Sequence, residues 1–295
     1  MPRTRVTLKD VAAASGVSPT TASFVLNRVT GQTIPPATQE RVRRAAAELG
    51  YVPHGSARAL REGNSRLVLL NAGQLPVAGS LRSFIDGLDG ELTEHGHTLL
   101  VRHGPTDAAS LRRAVQTADP RAVIDLALLY ATPDPGRFDG GWIDGLAAHT
   151  ATQIDHLAAA GHTRIGFAPP ADPRLERIGR LRLEQARAVA ATRGLAAVSP
   201  FDLDRPGEVT AVAAFDDGVA LALLSAMADR GLSAPGDLAV IGFDDLGYGE
   251  WWRPALTTVR IDAAGYGRRA ARAVLGLPTD DTPPAPSTVV VRATA

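Results

Sequence analysis

The stretch that decides the fold of the amino-terminal region is residues 7–27, TLKDVAAASGVSPTTASFVLN. Thr7 and Asp10 have the spacing of a capping box, in which the two side chains satisfy free amides at a helix start. Gly16 is a typical left-handed stop, and Ser18 predicts the cap of a second helix. Two short helices joined by so tight a turn predict a helix-turn-helix.

A third helix is predicted from about residue 37 to residue 49. Its apolar positions recur at helical spacing and predict an inward face of Val42, Ala45, Ala46 and Leu49. Its arginines at positions 41, 43 and 44 would then face outward. The first fifty residues therefore form a small three-helix unit, which needs all of these apolar contacts to be stable.

Charge is distributed unevenly along a chain of zero formal net charge. Residues 1–66 carry ten Lys and Arg against four acids, whereas the remainder carries 21 against 27. A basic head on an acidic body is typical of a phosphate-binding module joined to a soluble domain, although chance segregation on solvated faces is the alternative.

Composition excludes several classes of protein. The chain has no cysteine, which excludes disulfides and thiolate metal sites. No apolar run reaches the roughly 18 residues of a membrane helix, and no signal-peptide pattern follows the amino terminus. The seven histidines lack metal-ligand spacing, and no phosphate loop or nucleophile elbow is found. We expect a cytoplasmic protein that is not an enzyme and needs no cofactor or metal.

The second helix presents a polar outer face. Hydroxyl and amide side chains there suit contacts with phosphates, while Thr20 and Phe24 are placed to reach base edges. The alternative is a three-helix interaction module that does not bind DNA. Spacing alone does not separate these two interpretations.

The motifs LKDVA (8–12), GVS (16–18), TAS (21–23), VLN (25–27) and ELGYVP (48–53) closely resemble the headpiece of the lactose-repressor (LacI/GalR) family. The resemblance implies that the second helix enters the major groove of an operator. The DNA-binding residues predicted in the headpiece are Thr7, Ser18, Pro19, Thr20, Thr21, Ser23, Phe24, Asn27 and Thr38. Proline and phenylalanine cannot form the bidentate bonds of Arg or Gln, so direct base readout should be sparse.

Residues 54–65 follow the predicted headpiece, residues 1–53, as a hinge. A two-turn helix is too short to be stable alone. The family resemblance implies that Leu60 is the leucine that wedges between base steps and that Ala57 packs against the minor groove. A solvated linker is the alternative interpretation.

Residues 66–295 alternate short apolar runs with amphipathic helices, which predicts parallel sheets covered by helices. Strands are predicted at 67–70, 98–101, 123–129, 164–167, 209–215, 238–243 and 288–292, and helices at 84–95, 154–160, 177–193 and 220–230. The motifs GHTRI (161–165), IGFDD (241–245) and PALTTV (254–259) resemble the periplasmic-binding-protein-like core of the same family. The fold class is therefore an all-α helix-turn-helix headpiece plus an α/β core of two parallel-sheet subdomains, shortened near 130–145 and 196–212.

The resemblance places a small-molecule cleft between the two subdomains. The effector-binding residues that it implies are Gln74, Ser80, Arg177, Asp216 and Asp244. Arg177 could instead be a surface ion-pair partner and Asp244 a strand-end cap. Both shortened segments border the expected cleft, so a cleft that no longer binds a ligand is a further alternative.

These features predict a homodimeric, sequence-specific repressor of transcription that binds a double-stranded DNA operator and is controlled by a small-molecule effector such as a sugar. The last predicted strand has no heptad tail, which argues against a tetramer formed by a coiled coil. A solute-binding protein of transport is the competing class, and the basic headpiece argues against it. Membrane association is not expected.

Overall fold

The structure, a computed structural model, describes residues 6–27, 33–51, 65–77, 79–105, 107–132, 139–279 and 284–295. The chain separates into two compact units, Met1–Arg66 and Leu67–Ala295. The hinge prediction at residues 54–65, including Ala57 and Leu60, lies outside the described residues except for Ser65.

Among its described residues, the first unit contains three helices: α1 (Leu8–Ser15), α2 (Pro19–Leu26) and α3 (Pro36–Leu49). The carboxylate of Asp10 accepts hydrogen bonds from the Thr7 amide at 2.7 Å and from the Thr7 hydroxyl at 2.8 Å. Gly16 ends α1 with φ 64°, a conformation that favours glycine. The predicted helix-turn-helix is confirmed.

The core of the headpiece is made of small apolar side chains from all three helices, namely Val11, Ala12, Ala22, Val25, Val42, Ala45 and Ala46. The prediction that Leu49 faces inward is wrong, because 38% of this residue is exposed. Leu49 is the last residue of α3, and Gly50 turns the chain away directly after it with φ 64°.

The first half of the second unit contains strands β1 (Leu67–Gly73), β2 (Thr98–His103) and β3 (Ala122–Asp125), and helices α4 (Gly79–Glu94), α5 (Ala108–Ala118), α6 (Leu126–Ala131) and α7 (Trp142–Ala148). The strands form a parallel sheet of order β2-β1-β3. The central strand β1 is almost completely buried, as expected for a parallel strand covered by helices.

The second half contains helices α8 (Thr150–Ala159), α9 (Glu176–Thr192), α10 (Asp217–Asp229) and α11 (Ala263–Leu275), and strands β4 (Ile165–Ala168), β5 (Ser199–Pro200), β6 (Ala211–Ala214), β7 (Ala239–Ile241), β8 (Thr258–Arg260) and β9 (Thr288–Val290). Strands β5-β4-β6-β7 form a second parallel sheet, and β8 pairs with β9 in an antiparallel ribbon. Residues 201–210, which join β5 to β6, contain neither helix nor strand.

Helix α11 follows the second sheet in the sequence but packs against α4, beside the first sheet. Gly87 of α4 faces the backbone of Ala264, and Gly267 of α11 faces the backbone of Phe84. The two helices therefore approach each other backbone to backbone at two glycines, which only a residue without a Cβ permits.

The predicted strand at residues 123–129 is wrong in its second half. The strand ends at Asp125, and residues from Leu126 onward form helix α6. The Asp125 carboxylate accepts a hydrogen bond from the Leu128 amide at 3.1 Å, which caps that helix. Residues 126–130, LALLY, are long enough for a strand. Because almost every residue in this run is apolar, its hydrophobic pattern does not distinguish a strand from a buried helix.

Candidate functional site

The outer face of α2 begins at a well-formed cap. The Ser18 hydroxyl accepts a hydrogen bond from the Thr21 amide at 3.1 Å, and Pro19 occupies the first helical position. The hydroxyl groups of Ser18 and Thr21 lie 2.9 Å apart. Thr20 is exposed between them, at the amino-terminal end of the helix.

One turn later, Ser23 and Asn27 contact each other. The side-chain nitrogen of Asn27, Nδ2, donates to the Ser23 carbonyl at 2.8 Å and to the Ser23 hydroxyl at 3.1 Å. Thr20 and Phe24 are four residues apart and therefore share one face of α2. Phe24 is partly exposed although it is aromatic. This face carries the two side chains that the sequence places at base edges.

Two further predicted contact residues lie on the other headpiece helices. Thr7 is exposed at the start of α1, and its amide and hydroxyl both bond Asp10. Thr38 is partly buried in the first turn of α3. Arg41, which the sequence places outward, donates from Nε to the Ser15 carbonyl at 2.8 Å and so ties α3 to the end of α1.

The second unit contains a cavity of about 160 Å³ between its two parallel sheets. It is bordered by residues that follow the carboxyl ends of β1, β6 and β7, the edge at which open α/β sheets bind ligands. The lining residues are Leu75, Pro76, Ser80, Leu81, Tyr130, Trp142, Leu146, Leu175, Ile178, Arg182, Phe215, Asp216, Gly218, Phe243, Asp244, Leu246 and Tyr248. We call this cavity the cleft.

Arg182 is the cation that lines the cleft among the described residues, and only 2% of it is exposed. Its Nε donates to the Thr150 hydroxyl at 2.9 Å, one terminal nitrogen donates to Gln153 Oε1 at 2.7 Å, and the other donates to the Phe215 carbonyl. The guanidinium carbon lies 3.7 Å from the centre of the Phe243 ring. Burial lowers the pKa of Arg182 to about 10, so the side chain remains charged at neutral pH.

Gln153 fixes Arg182 to the second sheet. Its side-chain nitrogen lies 2.9 Å from the carbonyls of Ala214 and Gly242, at the ends of β6 and β7, and its oxygen accepts from Arg182. Gln153 is fully buried. Every polar atom of this amide thus has a protein partner, as a buried polar group requires.

Two carboxylates face the cleft from the same half. Asp244 accepts a hydrogen bond from the Ser80 hydroxyl, which reaches it from the first turn of α4. The pKa of Asp244 is raised to about 7, chiefly by burial; Asp216 and Asp217 also raise it, whereas Ser80 and Arg182 lower it. Asp216 Oδ1 accepts from the Val219 amide at 2.7 Å and caps α10.

Asp217 lies fully buried behind the cleft wall. Its carboxylate accepts from the Thr258 hydroxyl and, at 2.6 Å, from the Leu246 amide. Burial raises the pKa of Asp217 to about 6. The neighbouring Asp245 is paired with Arg260 and Arg292 instead, and these bonds hold its pKa below the usual value despite burial.

Three of the five predicted effector residues line the cleft, and two do not. Ser80, Asp216 and Asp244 come together there. Arg177 instead donates to the Leu129 carbonyl at 2.7 Å, and Gln74 lines a neighbouring cavity.

Arg182 was not identified from the sequence, although a pattern marks it. Ile178, Arg182, Ala186 and Ala190 recur every four residues on the buried face of α9. A single arginine within an apolar stripe indicates a buried charge that needs partners. Arg177 precedes this stripe by one residue and therefore points about a quarter-turn away from it.

Within the described residues, no helix is long and apolar enough to cross a membrane. The same residues hold no group of three side chains that could bind a metal ion.

Comparison with known proteins gives two domain matches. Residues 7–54 match the model described as "Bacterial regulatory proteins, lacI family". Residues 154–295 match a model described as "Periplasmic binding protein-like domain". The first match covers the helix-turn-helix, and the second covers the half that supplies Arg182, Asp216 and Asp244.

Relatives of similar length match along most of the chain. The HTH-type transcriptional regulator GalS of Salmonella typhimurium is 27% identical, with 92% of this chain and 89% of that protein covered. The ribose operon repressor of Escherichia coli is 28% identical, with 86% and 87% covered. A solved structure of the lac repressor dimer bound to operator and an anti-inducer has a TM-score of 0.75 at 22% identity, with 99% of each chain covered, and so shares the fold. The chain thus combines a helix-turn-helix domain that matches the lacI family with a periplasmic-binding-protein-like domain.

Proposed function

We propose that this protein is a cytoplasmic, homodimeric repressor that binds a DNA operator through α2 and changes its DNA affinity when a small molecule occupies the cleft. The observation that carries the proposal is the capped α2, whose outer face presents Thr20 and Phe24 while Ser18, Ser23 and Asn27 are held by local hydrogen bonds. The relatives named as regulators of transcription support the same function. The proposed activity is binding, without catalysis.

Base readout by this face is sparse. Thr20 can donate and accept one hydrogen bond each, and Phe24 can contact thymine methyl groups. Most of the affinity for DNA would then come from contacts with phosphates. Hydroxyl groups and backbone amides at the amino-terminal end of α2 would bind phosphates and orient the helix in the groove. The basic charge of residues 1–66 supplies the sequence-independent part of binding.

The cleft supports control by a ligand. Ser80 belongs to the half that contains the first sheet, and Asp244 belongs to the half that contains the second. A ligand between these residues would bind both halves and favour one spacing of them. Ligand binding then couples to DNA binding to the extent that the ligand prefers one conformation. A repressor with a ligand-blind cleft is less favoured, because Arg182, Asp216 and Asp244 are still present there.

The test is selection of bound duplexes from a random pool by the full chain. A dimer that reads two half-sites should enrich an inverted repeat. Thr20→Asp should weaken binding to the selected duplex by about 100-fold or more, because a carboxylate would enter the groove beside phosphates. Ala47→Asp adds the same charge at an exposed position of α3 and serves as the matched control.

We expect the control to lose only a few-fold in affinity, since its added charge stays outside the groove. Equal losses in the two variants would show that α2 has no special place in the complex. A pool in which no sequence is enriched would contradict specific repression. Analytical ultracentrifugation of the free chain tests the dimer separately.

A further inference from the structure

The cleft has an excess of negative charge. Three carboxylates, those of Asp216, Asp217 and Asp244, lie in or directly behind its wall. Burial raises the pKa of Asp217, and burial together with the two neighbouring carboxylates raises the pKa of Asp244. Asp245 does not add to this excess, because Arg260 and Arg292 neutralise it. Arg182 is the single cation that borders the cleft within the described part of the chain.

Arg182 is largely occupied by the protein. Each of its three nitrogens already donates to a protein acceptor, and its plane lies on the Phe243 ring. Its charge offsets one of the two carboxylates that line the cleft, Asp216 and Asp244, so one negative charge faces the small cavity when Asp244 is ionised. An anionic ligand would enter against this field, and a neutral ligand would leave it uncompensated.

The walls of the cleft are rich in aromatic side chains. Tyr130 and Trp142 come from the half with the first sheet, and Phe215, Phe243 and Tyr248 come from the other half. Trp142 Nε1 donates to the Tyr130 hydroxyl at 3.0 Å, which fixes both rings. Arg182 already lies over the Phe243 ring and 5.3 Å from the centre of the Phe215 ring, so a ligand cation would pack against Tyr130, Trp142 and Tyr248. Aromatic rings attract positive charge, and neighbouring carboxylates pair with it.

We propose that the effector of this protein is a small organic cation, a protonated amine on a compact body with hydroxyl groups, such as an amino sugar. The proposal rests on the proposed function, because it names the ligand class of the same cleft. The ammonium group would lie between Asp216 and Asp244, and the body of the ligand would pack against the aromatic walls. The cavity of about 160 Å³ favours a single ring.

The experiment compares charged and uncharged members of matched pairs by thermal shift and calorimetry on the full chain. The probes are glucosamine with glucose, galactosamine with galactose, and 5-amino-1-pentanol with 1,5-pentanediol. The cationic member of at least one pair should bind with a Kd at least tenfold lower than that of its neutral partner. Neutral members that bind equally well or better would overturn the proposal, and so would a panel in which no cation raises the melting temperature.

Variants place the effect in the cleft. Asp216→Asn and Asp244→Asn each keep an acceptor oxygen for their present partners but remove one charge, and each should erase the advantage of the cation. Asp229→Asn removes the same charge at the exposed far end of α10, the helix that begins at the cleft, and should leave the advantage intact. An equal effect of all three variants would contradict a local site.

Duplex binding without ligand is measured on the same samples. Absence of a cation advantage in the wild-type chain, together with intact specific duplex binding, would overturn the ligand class and leave the proposed function standing. Absence of any specific duplex binding would instead overturn the proposed function.

Discussion

The contact between α4 and α11 allows a sharp prediction. Gly87→Ala would place a Cβ 2.2 Å from the Ala264 carbonyl oxygen and 2.7 Å from the Ala264 Cα. Both obstructing atoms belong to backbone, so no side-chain rotation can relieve the overlap. Helix α4 or α11 must therefore shift by about 1 Å to restore contact distances near the usual 3.5 Å.

The free energy of this change can be worked from two opposing effects. Replacing Gly by Ala within a helix gains about 1 kcal/mol from helix propensity. Overpacking costs about 1–3 kcal/mol, and a backbone-to-backbone overlap belongs at the upper end of that range. The shift would also disturb Phe84 and Leu88, which are fully buried on the same helix. We expect a net loss of about 2 kcal/mol in the free energy of unfolding.

Gly90 provides the control on the same helix. A Cβ at Gly90 would meet no atom of the described residues within 4 Å, so Gly90→Ala should gain about 1 kcal/mol from propensity alone. The difference between the two variants isolates the overlap, at about 3 kcal/mol. Gly267→Ala approaches the same contact from α11, with its Cβ 2.1 Å from the Phe84 carbonyl oxygen, and should resemble Gly87→Ala.

Urea unfolding of the full chain measures these effects. Far-UV circular dichroism reports on the helices, and tryptophan fluorescence reports in part on Trp142, whose ring centre lies 5.0 Å from that of Phe84 in α4. A Gly87→Ala variant as stable as Gly90→Ala would refute the close approach of the two helices.

Three further predictions concern the caps and the buried acids. Folding raises the pKa of Asp217 from 3.8 to about 6, so the wild-type chain loses stability relative to Asp217→Asn as pH rises through that window. Urea titrations should show a relative loss of about 2 kcal/mol between pH 4.5 and pH 8. Ser18→Ala should cost the headpiece about 1 kcal/mol and weaken duplex binding, whereas Ser18→Asn should keep the cap and the affinity. Because the pKa of Asp244 is raised to about 7, with Arg182, Asp216 and Asp217 as its charged neighbours, binding of 5-amino-1-pentanol, whose alkylammonium group stays protonated throughout, should strengthen from pH 6 to pH 8 in calorimetry, and Asp244→Asn should show a much smaller rise.

The headpiece could be predicted from the sequence because its determinants are local. A capping box at Thr7, a glycine stop at Gly16 and a cap at Ser18 each act within four residues, so the helix boundaries follow from neighbouring side chains. The exposure of Leu49 was missed although its cause is also local: Leu49 is the last residue of α3, and Gly50 turns the chain away directly after it.

The second unit could be predicted only in outline. Alternating apolar runs indicated parallel sheets, and both sheets are present. Helices α5 and α11 were missed although their sequences mark them: Asp107 and Asp262 cap stretches rich in Ala and Arg, which favour helix. The boundary at Asp125 was missed because a uniformly apolar run fits a strand and a buried helix equally well.

The cleft shows why some site residues escape motif comparison. Arg182 and Gln153 form one buried unit, in which Arg182 borders the cleft and Gln153 holds it in place from behind. Gln153 lies in the apolar stripe of α8 between Thr150 and Ile154, where a buried amide would cost several kcal/mol without partners. The partners are backbone carbonyls at the ends of β6 and β7, which only the folded sheet brings together.

This arrangement assigns different tasks to the two halves of the second unit. The charged residues of the cleft, Arg182, Asp216 and Asp244, all belong to the half with the second sheet, where Gln153 ties Arg182 to that sheet. The half with the first sheet contributes aromatic rings and the Ser80 hydroxyl, which contacts Asp244 across the cleft. Charge recognition can therefore be complete within one half, whereas the other half offers aromatic rings and a neutral hydroxyl. Under the proposed function, a ligand that competes with Ser80 for Asp244 would alter the contact between the halves, so the same carboxylate would both select the effector and report its presence.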